Sequence, residues 1–142
     1  MDEKLNYSEK LKVILCGAEK LAEIFKSSYI GSEHLVFAML NLPECAAYKI
    51  LSAQGISAKD FEDYFARSID SSSTFKGFTP RSKIIIQEAE DIGKPVTRTD
   101  HLLLSIINSA DCLAMRILRA MGTNMSKLAN ELLYSVNSGI EE

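Results

Sequence analysis

Several side chains of this 142-residue chain that could take part in chemistry occur in pairs 67 residues apart. Glu33 and His34 recur 67 residues later as Asp100 and His101, and these are the only two histidines in the sequence. A histidine beside a carboxylate can shuttle protons or act as a pH switch. Because both copies of the pair are present, we favour a structural role for the histidines, in which each ring bonds a neighbouring loop.

The two acidic residues allow a different chemistry. Glu33 and Asp100 each stand in the first turn of a predicted helix, where the helix dipole already favours a negative charge. The functional interpretation is a carboxylate that is presented at the helix N-terminus to a cationic group of a ligand. Residue type alone leaves both interpretations open.

The three cysteines, Cys16, Cys45 and Cys112, are widely spaced and form no Cys-x-x-Cys pair, which is typical of reduced thiols in a cytoplasm. Cys45 and Cys112 match each other at the 67-residue spacing and lie beside alanines on short predicted helices. We interpret them as small core residues. A small enzyme that uses Cys or His stays an alternative, and Cys16 is its one unduplicated thiol.

The motifs of common cofactor and metal sites are missing from the sequence. It contains no Gly-x-x-x-x-Gly-Lys-Ser/Thr loop for ATP, no Gly-x-Gly-x-x-Gly and no His-Glu-x-x-His. Two histidines 67 residues apart, with no cysteine near them, make a poor metal site. We therefore expect no cofactor and no metal.

The composition is that of a globular domain and disfavours several kinds of partner. Hydrophobic residues make up 46% of the chain and charged residues 25%, close to globular averages. The net charge of −3 disfavours nucleic acid, and with it a helix-turn-helix binder, since phosphate contacts need clustered Lys and Arg. The longest apolar run, Leu35 to Leu40, is too short to span a bilayer, and no signal peptide is recognisable. We expect a cytoplasmic protein.

The spacing of apolar residues predicts helices in both copies. The first predicted helix has apolar residues three and four positions apart and begins with Ser8 as its N-cap. Its partner in the second copy begins at Thr79 and Pro80, a hydroxyl N-cap followed by proline at the first helical position. These two starts are 71 residues apart rather than 67, a difference of about one helical turn. No convincing strand is found.

Each copy is predicted to contain four helices, so the fold class is all-α: two tandem four-helix repeats, about eight helices in all, packed as one domain. The boundaries are about 5–68 for repeat one, 69–77 for a linker, 78–136 for repeat two and 137–142 for a polar tail. The second helix of each repeat is apolar on most sides and therefore central, and the third ends at a glycine. The second helices are predicted at Ser32 to Asn41 and Thr99 to Asn108, and the third at Glu44 to Ala53 and Asp111 to Met121, before Gly55 and Gly122. The fourth helices are predicted to start at Ser57 and Asn124. Their inward-facing residues are Phe61, Phe65, Leu128 and Leu132.

Two motifs occur in order in both copies. The first copy reads Tyr-Ile-Gly-Ser-Glu-His-Leu from Tyr29 to Leu35, and the second has Phe78-Thr79-Pro80-Arg81-Ser82 followed by Thr99-Asp100-His101-Leu102-Leu103. Over about residues 5–136 the chain resembles the Clp N-terminal domain, the doubled helical module that precedes the ATPase rings of Clp-type AAA+ unfoldases, especially in the ClpC branch. The family pattern is roughly Tyr-Ile-Gly-Thr-Glu-His-Leu-Leu, preceded by Phe-Thr-x-Arg-Ala.

The resemblance implies a binding module rather than a catalyst. In the family this domain receives substrate and adaptor proteins above the ATPase ring and passes them on for unfolding, usually followed by degradation in an attached peptidase. The chain would be either part of such an unfoldase or a free-standing relative. In the ClpC branch the domain also looks like a reader of phosphoarginine, a degradation mark, with one pocket per repeat. Carried over residue by residue, the first pocket would use Ser8 and Glu33, and the second Thr79 and Asp100.

The second repeat departs from the family pattern, because Arg98-Thr99-Asp100-His101 stands in place of Gly-Thr-Glu-His. In each implied pocket a carboxylate matches the guanidinium of phosphoarginine, and a hydroxyl N-cap with free backbone N–H groups suits its phosphate. Aspartate is one methylene shorter than glutamate. Arg98 could either pair with Asp100 in place of the ligand or help to hold the phosphate. We therefore favour the first pocket.

Overall fold

The computed structural model describes residues 6–66, 77–109 and 111–139, and α-helix dominates this part of the chain. The predicted all-α class is confirmed. Four helices lie before residue 67 and four after residue 76, in the order that the repeat predicts. They are α1 (Glu9–Ile24), α2 (Ser32–Leu40), α3 (Ala46–Ala53), α4 (Ala58–Ala66), α5 (Pro80–Gly93), α6 (Thr99–Asn108), α7 (Leu113–Ala120) and α8 (Met125–Ser138).

The predicted N-caps of the first helix in each repeat are confirmed. The Ser8 hydroxyl accepts a hydrogen bond from the backbone N–H of Leu11 at 3.1 Å, and the Thr79 hydroxyl accepts one from the N–H of Ser82 at 3.0 Å. Each cap satisfies one of the donors that a helix start leaves without an intrahelical partner. Local sequence therefore sets where α1 and α5 begin.

The third helix of each repeat begins two residues later than predicted. Cys45 and Cys112 are the N-caps of α3 and α7, and both are buried, as expected of small core residues. The Cys45 sulfur also accepts a hydrogen bond from the N–H of Tyr48 at 3.3 Å. Gly55 and Gly122 follow these helices with φ of 80° and 81°, a left-handed conformation that glycine adopts without steric cost.

Helices α2 and α6 form the centre of the molecule. Eight of the nine residues of α2 are buried, and so are eight of the ten residues of α6. Helix α2 packs against α1, α3, α4 and α7, while α6 packs against α5, α8 and α3. Burial on nearly all sides explains why both helices are rich in apolar residues, and it fixes the positions of the polar residues in their first turns.

Two very short strands were not predicted. Strand β1 (Asn6–Tyr7) precedes α1, strand β2 (Val96–Thr97) precedes α6, and the two pair in parallel, with Asn6 opposite Val96 and Tyr7 opposite Thr97. A single parallel bridge joins Ile30 to Phe78 in the equivalent position. Two residues are too few to show the alternation of polar and apolar side chains that marks a strand, so the sequence gives no signal of them.

Parts of the predicted organisation fall outside the described residues. These parts are the linker at 69–76, the end of the tail at 140–142 and the side chain of Phe65. Helix α8 continues to Ser138, two residues beyond the predicted end of repeat two. Within the described ranges, no single helix has the length and apolar content to cross a membrane; α6 and α7 meet that test only as a pair with an 84° bend.

Candidate functional site

Backbone hydrogen bonds bring the start of one repeat against the middle of the other. The N–H of Ser8 donates to the carbonyl of Thr97 at 2.8 Å, and the N–H of Thr79 donates to the carbonyl of Ile30 at 3.0 Å. Thr97 lies three residues before Asp100, and Ile30 lies three residues before Glu33. The start of α5 is therefore beside the start of α2, and the start of α1 is beside the start of α6.

This arrangement corrects the predicted pairing of the four site residues. Helix α1 has 16 residues, so its two ends are about 24 Å apart at 1.5 Å per residue. Ser27, just after the C-terminal end of α1, lies 3.1 Å from the ring Nε2 of His34. Glu33 thus lies at the end of α1 opposite to Ser8. Each hydroxyl is grouped with the carboxylate of the other repeat: Thr79 with Glu33, and Ser8 with Asp100.

Glu33 stands in the first turn of α2 with 17% of its side chain exposed. Its carboxylate folds back over Gly31, because a Cβ atom added to Gly31 would lie only 2.3 Å from Oε1 of Glu33. Burial raises the pKa of Glu33 above its usual value, while a hydrogen bond from its own backbone N–H opposes this shift. Among the described residues, no Lys or Arg lies within 4 Å of this carboxylate. The site is therefore a partly dehydrated anion that faces solvent through a small opening.

His34 holds the start of α2 and does not neutralise Glu33. Its ring Nδ1 accepts a hydrogen bond from the N–H of Gly31 at 2.9 Å, so Nδ1 carries no proton and Nε2 faces Ser27 as the protonated nitrogen. Burial lowers the pKa of His34 to about 4. The 3.8 Å between Nδ1 and the carboxylate of Glu33 is therefore not an ion pair at neutral pH. The structural interpretation of this histidine is supported.

Asp100 differs sharply from Glu33, since it is fully buried and surrounded by donors. Arg98 donates from Nε to Oδ1 at 3.2 Å and from Nη2 to Oδ2 at 3.1 Å. The Ser135 hydroxyl donates to Oδ2 at 2.8 Å, and the N–H of His101 donates to Oδ1 at 3.0 Å. As in the first repeat, the ring of His101 accepts from the N-cap, here the N–H of Arg98 at 2.8 Å. Of the two possibilities that the sequence left for Arg98, the structure shows pairing with Asp100.

The two hydroxyls of the predicted site serve as helix caps. Ser8 and Thr79 are both half-buried, and the Thr79 hydroxyl donates to the Ser82 hydroxyl at 2.8 Å while it accepts from the Ser82 N–H. Pro80 provides no N–H at the start of α5. Arg81 stands in the first turn of α5 and was not among the predicted site residues. Its exposed guanidinium donates to the Ser109 hydroxyl at 3.2 Å and gives this helix start a cation.

A groove of about 630 Å³ runs between α1 and α5. Its polar residues include Glu19, Lys83 and Glu90, and its apolar wall includes Leu15 and Ile86. At one end the hydroxyl of Tyr7 donates a hydrogen bond to the Glu90 carboxylate. Burial and, secondarily, this carboxylate raise the pKa of Tyr7 to about 12. Glu33 and Asp100 do not line the groove, so it is a second feature, separate from the carboxylates.

Metal chemistry finds no support in the part of the chain that the structure describes. There, no group of three or more His, Cys, Asp or Glu residues is arranged to hold a metal ion. The exposed Cys16 and the buried Cys45 and Cys112 are free thiols.

A family model described as the Clp repeat (R) N-terminal domain matches residues 6–94. The negative regulator of genetic competence ClpC/MecB of Bacillus subtilis is 28% identical over 140 residues, which cover 93% of this chain and 17% of that protein. The chain therefore spans about a sixth of the length of the curated relatives it matches.

Solved structures share the fold at lower sequence identity. The N-terminal domain of the chaperone ClpD from Arabidopsis thaliana is 18% identical, with a TM-score of 0.75 and coverage of 92% of this chain and 97% of that one. The ClpV N-domain in complex with a VipB peptide is 20% identical, with a TM-score of 0.73 and coverage of 94% and 88%. At these identities the likeness concerns the fold.

Proposed function

Because the chain belongs to the Clp repeat N-terminal domain family, we propose that it binds substrate and adaptor proteins for a Clp-type ATP-dependent unfoldase. The unfoldase would be either the longer protein to which this chain belongs or, for a free-standing relative, a separate ATPase ring. The chain itself has no catalytic step in this proposal, and its place is the cytoplasm. The peptidase that degrades unfolded substrates would be reached through the ATPase.

The single observation that carries the proposal is the state of Glu33. This side chain is a largely buried carboxylate with a small solvent opening and no Lys or Arg within 4 Å among the described residues. Keeping an anion partly dehydrated and without a cation costs stability. A cationic ligand that reaches Glu33 removes this cost, so the site favours a guanidinium or ammonium group.

Phosphoarginine fits the surroundings of Glu33 better than a simple cation does. Its guanidinium would meet the carboxylate through charge-assisted hydrogen bonds. Its phosphate would then need positive charge nearby, and the start of α5 beside Ile30 offers the helix dipole and the exposed Arg81. The site therefore joins Glu33 of repeat one to Thr79 of repeat two, and neither repeat contains it alone.

The groove between α1 and α5 is the second support for protein binding. The ClpV N-domain, which shares this fold, is known in complex with a VipB peptide. A groove of about 630 Å³ with apolar walls and both signs of charge is suited to a short peptide segment. An extended substrate marked with phosphoarginine could use the groove in addition to the Glu33 site.

Titration of the domain with free phosphoarginine, followed by calorimetry and by amide NMR shifts, tests the ligand. We expect saturable binding by the unmodified domain and a loss of affinity of at least about tenfold in Glu33→Gln, which keeps the shape but removes the charge. Glu9→Gln is the matched control, because Glu9 is an exposed acid in the first turn of α1. Equal binding by Glu33→Gln and Glu9→Gln would show that Glu33 does not belong to the phosphoarginine site.

A separate measurement tests the broader proposal. Unmodified and arginine-phosphorylated forms of one unfolded model protein are offered to the immobilised domain, and the retained fractions are compared. Preferential retention of the phosphorylated form supports the mark as the signal. Equal retention of both forms leaves protein binding in place and removes phosphoarginine from the proposal, whereas retention of neither contradicts protein binding.

A further inference from the structure

The two carboxylate sites are not equivalent, and the residue before each helix, Gly31 or Arg98, is central to the difference. We propose that Arg98 is a built-in guanidinium occupant that closes the Asp100 site, so that the domain accepts a cationic ligand at the Glu33 site alone. This inference rests on the proposed function for the identity of the ligand. The occupancy of the Asp100 site by Arg98 is independent of the proposed function, because it follows from the contacts of Arg98.

The guanidinium of Arg98 makes the contacts that a guanidinium ligand would make. Two of its nitrogens face the two oxygens of Asp100 at 3.2 and 3.1 Å, the forked geometry in which arginine recognises carboxylates. Only 14% of the Arg98 side chain is exposed, and Asp100 is fully buried. Ser135 and the N–H of His101 fill the remaining acceptor positions of the carboxylate. An incoming cation therefore finds no free oxygen and no open path.

The repeat shows that the side chain, rather than the backbone, causes this closure. Arg98 is the counterpart of Gly31 at the 67-residue spacing. Both residues are N-caps with extended backbone, at φ −103° and ψ 178° for Gly31 and φ −114° and ψ 175° for Arg98. Both donate their N–H to the histidine three residues later, at 2.9 and 2.8 Å. The two helix starts thus differ mainly in the side chain of the N-cap residue, which Gly31 lacks and which in Arg98 carries a guanidinium group.

In repeat one the place of that side chain is taken by Glu33 itself. A Cβ atom on Gly31 would lie 2.3 Å from Oε1 of Glu33, and 2.9 and 3.0 Å from the other atoms of the carboxylate group. Glycine therefore leaves the carboxylate accessible, whereas arginine at the same position covers its shorter counterpart and neutralises it. The exchange of Gly for Arg and of Glu for Asp is one coupled change from an open site to a closed one.

The unmodified domain provides the first test. Amide NMR shifts are recorded while phosphoarginine is added, and residues at the starts of α2 and α6 are followed separately. We expect saturating shifts around Glu33 and none around Asp100. Saturating shifts at both helix starts would overturn the inference. Shifts at neither start would contradict the proposed function but would leave the occupancy of Asp100 to the second test.

The second test removes the Arg98 side chain and supplies a free guanidinium compound in solution. Arg98→Gly is measured for thermal unfolding and helical circular dichroism with millimolar methylguanidinium, and with methylammonium as the unforked cation. We expect methylguanidinium to raise the Tm of Arg98→Gly by several degrees, or to restore its helical signal if the variant is partly unfolded, while methylammonium has a smaller effect. Arg116→Ala is the matched control, because Arg116 pairs with Asp111 on the exposed surface, and the unmodified domain is the second control.

Two outcomes of this test contradict the proposal. One is an Arg98→Gly variant whose Tm responds to methylguanidinium no more than the Tm of Arg116→Ala does. The other is an unmodified domain that responds as strongly as Arg98→Gly, since its site would then not be occupied. A double variant, Arg98→Gly with Glu33→Gln, separates the two proposals if it folds. We expect phosphoarginine to bind it at Asp100. If methylguanidinium binds and phosphoarginine does not, Arg98 does occupy the Asp100 site, but the proposed ligand is wrong.

Discussion

The hydroxyl of Ser32 accepts a hydrogen bond from the backbone N–H of Ala114, 82 residues away, at 3.0 Å. The mirror contact joins the hydroxyl of Thr99 to the N–H of Ala47 at 3.2 Å. Ser32 and Thr99 are matched positions of the two repeats, and so are Ala47 and Ala114. Each repeat therefore uses the first residue of its central helix to cap the third helix of the other repeat.

Removal of the Ser32 hydroxyl should destabilise the whole domain. Ser32→Ala leaves the buried N–H of Ala114 without this acceptor, which costs about 1–3 kcal/mol. Because the bond joins the two repeats, we expect one unfolding transition at a lower urea concentration rather than separate melting of one repeat. Urea unfolding followed by circular dichroism measures this. The matched control is Ser52→Ala on the exposed face of α3, and an equal loss in both variants would contradict a bridging role.

The local caps of α1 and α5 show how far the sequence could predict the fold. The starts of α1 and α5 were predicted to the residue because Ser8 and Thr79 act within their own helices, over three residues. The central positions of α2 and α6 followed from their apolar composition. Such signals are local, and they are read without knowledge of the neighbouring elements.

The composition of the site could not be predicted in the same way. The sequence predicts Glu33 and Thr79 as site residues, but nothing in the spacing within one repeat shows that Thr79 meets Ile30 of the other repeat. The grouping of Ser8 with Glu33 was therefore wrong. For Arg98 the sequence allowed two partners, a phosphate or Asp100, and only the packed position of α8, which brings Ser135 to Asp100, shows how completely that carboxylate is surrounded.

Glu33 should reduce the stability of the domain at neutral pH. Its folded-state pKa is raised by burial, so the contribution of Glu33 to stability is most favourable below its unfolded-state pKa and is lost as pH rises through its folded-state pKa. Glu33→Gln removes this loss. We expect Glu33→Gln to equal the unmodified domain near pH 4 and to be more stable at pH 7, although it binds the ligand poorly.

Urea unfolding at several pH values between 4 and 7 measures the effect of Glu33. The exposed Glu9→Gln is the control, and it should change the free energy of unfolding by about 0.5 kcal/mol or less. A Glu33→Gln variant that is less stable than the unmodified domain at pH 7 would show that this carboxylate stabilises the fold, and the site would then have no reason to attract a cation.

His34 should make the fold sensitive to acid. Its pKa is about 4 in the folded domain against an ordinary value of 6.5, so the unfolded chain takes up a proton at a higher pH than the folded one. The stability that neutral His34 contributes is fully present above pH 6.5 and is lost as pH falls towards 4, by roughly 3 kcal/mol at 1.36 kcal/mol per unit of pKa.

The effect of His34 is best measured in the Glu33→Gln background, because Glu33 titrates nearby with the opposite sign. NMR titration of the ring protons gives the folded-state pKa directly, and urea unfolding between pH 4 and 7 gives the stability. A folded-state pKa near 6.5 for His34 would show that its ring is protonated as readily as in water, which is incompatible with an Nδ1 that accepts from Gly31.

Two glycines that both lie in helices should respond oppositely to alanine. Gly17 lies inside α1, and a Cβ atom there would make an ordinary contact of 3.6 Å with the Cβ of Ala38. Gly17→Ala should therefore raise the free energy of unfolding by about 0.5–1 kcal/mol, through lower chain entropy in the unfolded state and better helix propensity. Gly93 ends α5, and a Cβ atom there would lie 2.8 Å from Nδ1 of His101.

The ring of His101 cannot move away from Gly93 without cost, since it is buried and its Nδ1 accepts from the N–H of Arg98. Gly93→Ala should therefore lower the free energy of unfolding by about 1–3 kcal/mol, as overpacking of a core does. It should also disturb the N-cap that positions Arg98 against Asp100. Thermal and urea unfolding of the two variants side by side measures the contrast, and a Gly93→Ala variant as stable as Gly17→Ala would mean that the start of α6 is not held by this histidine.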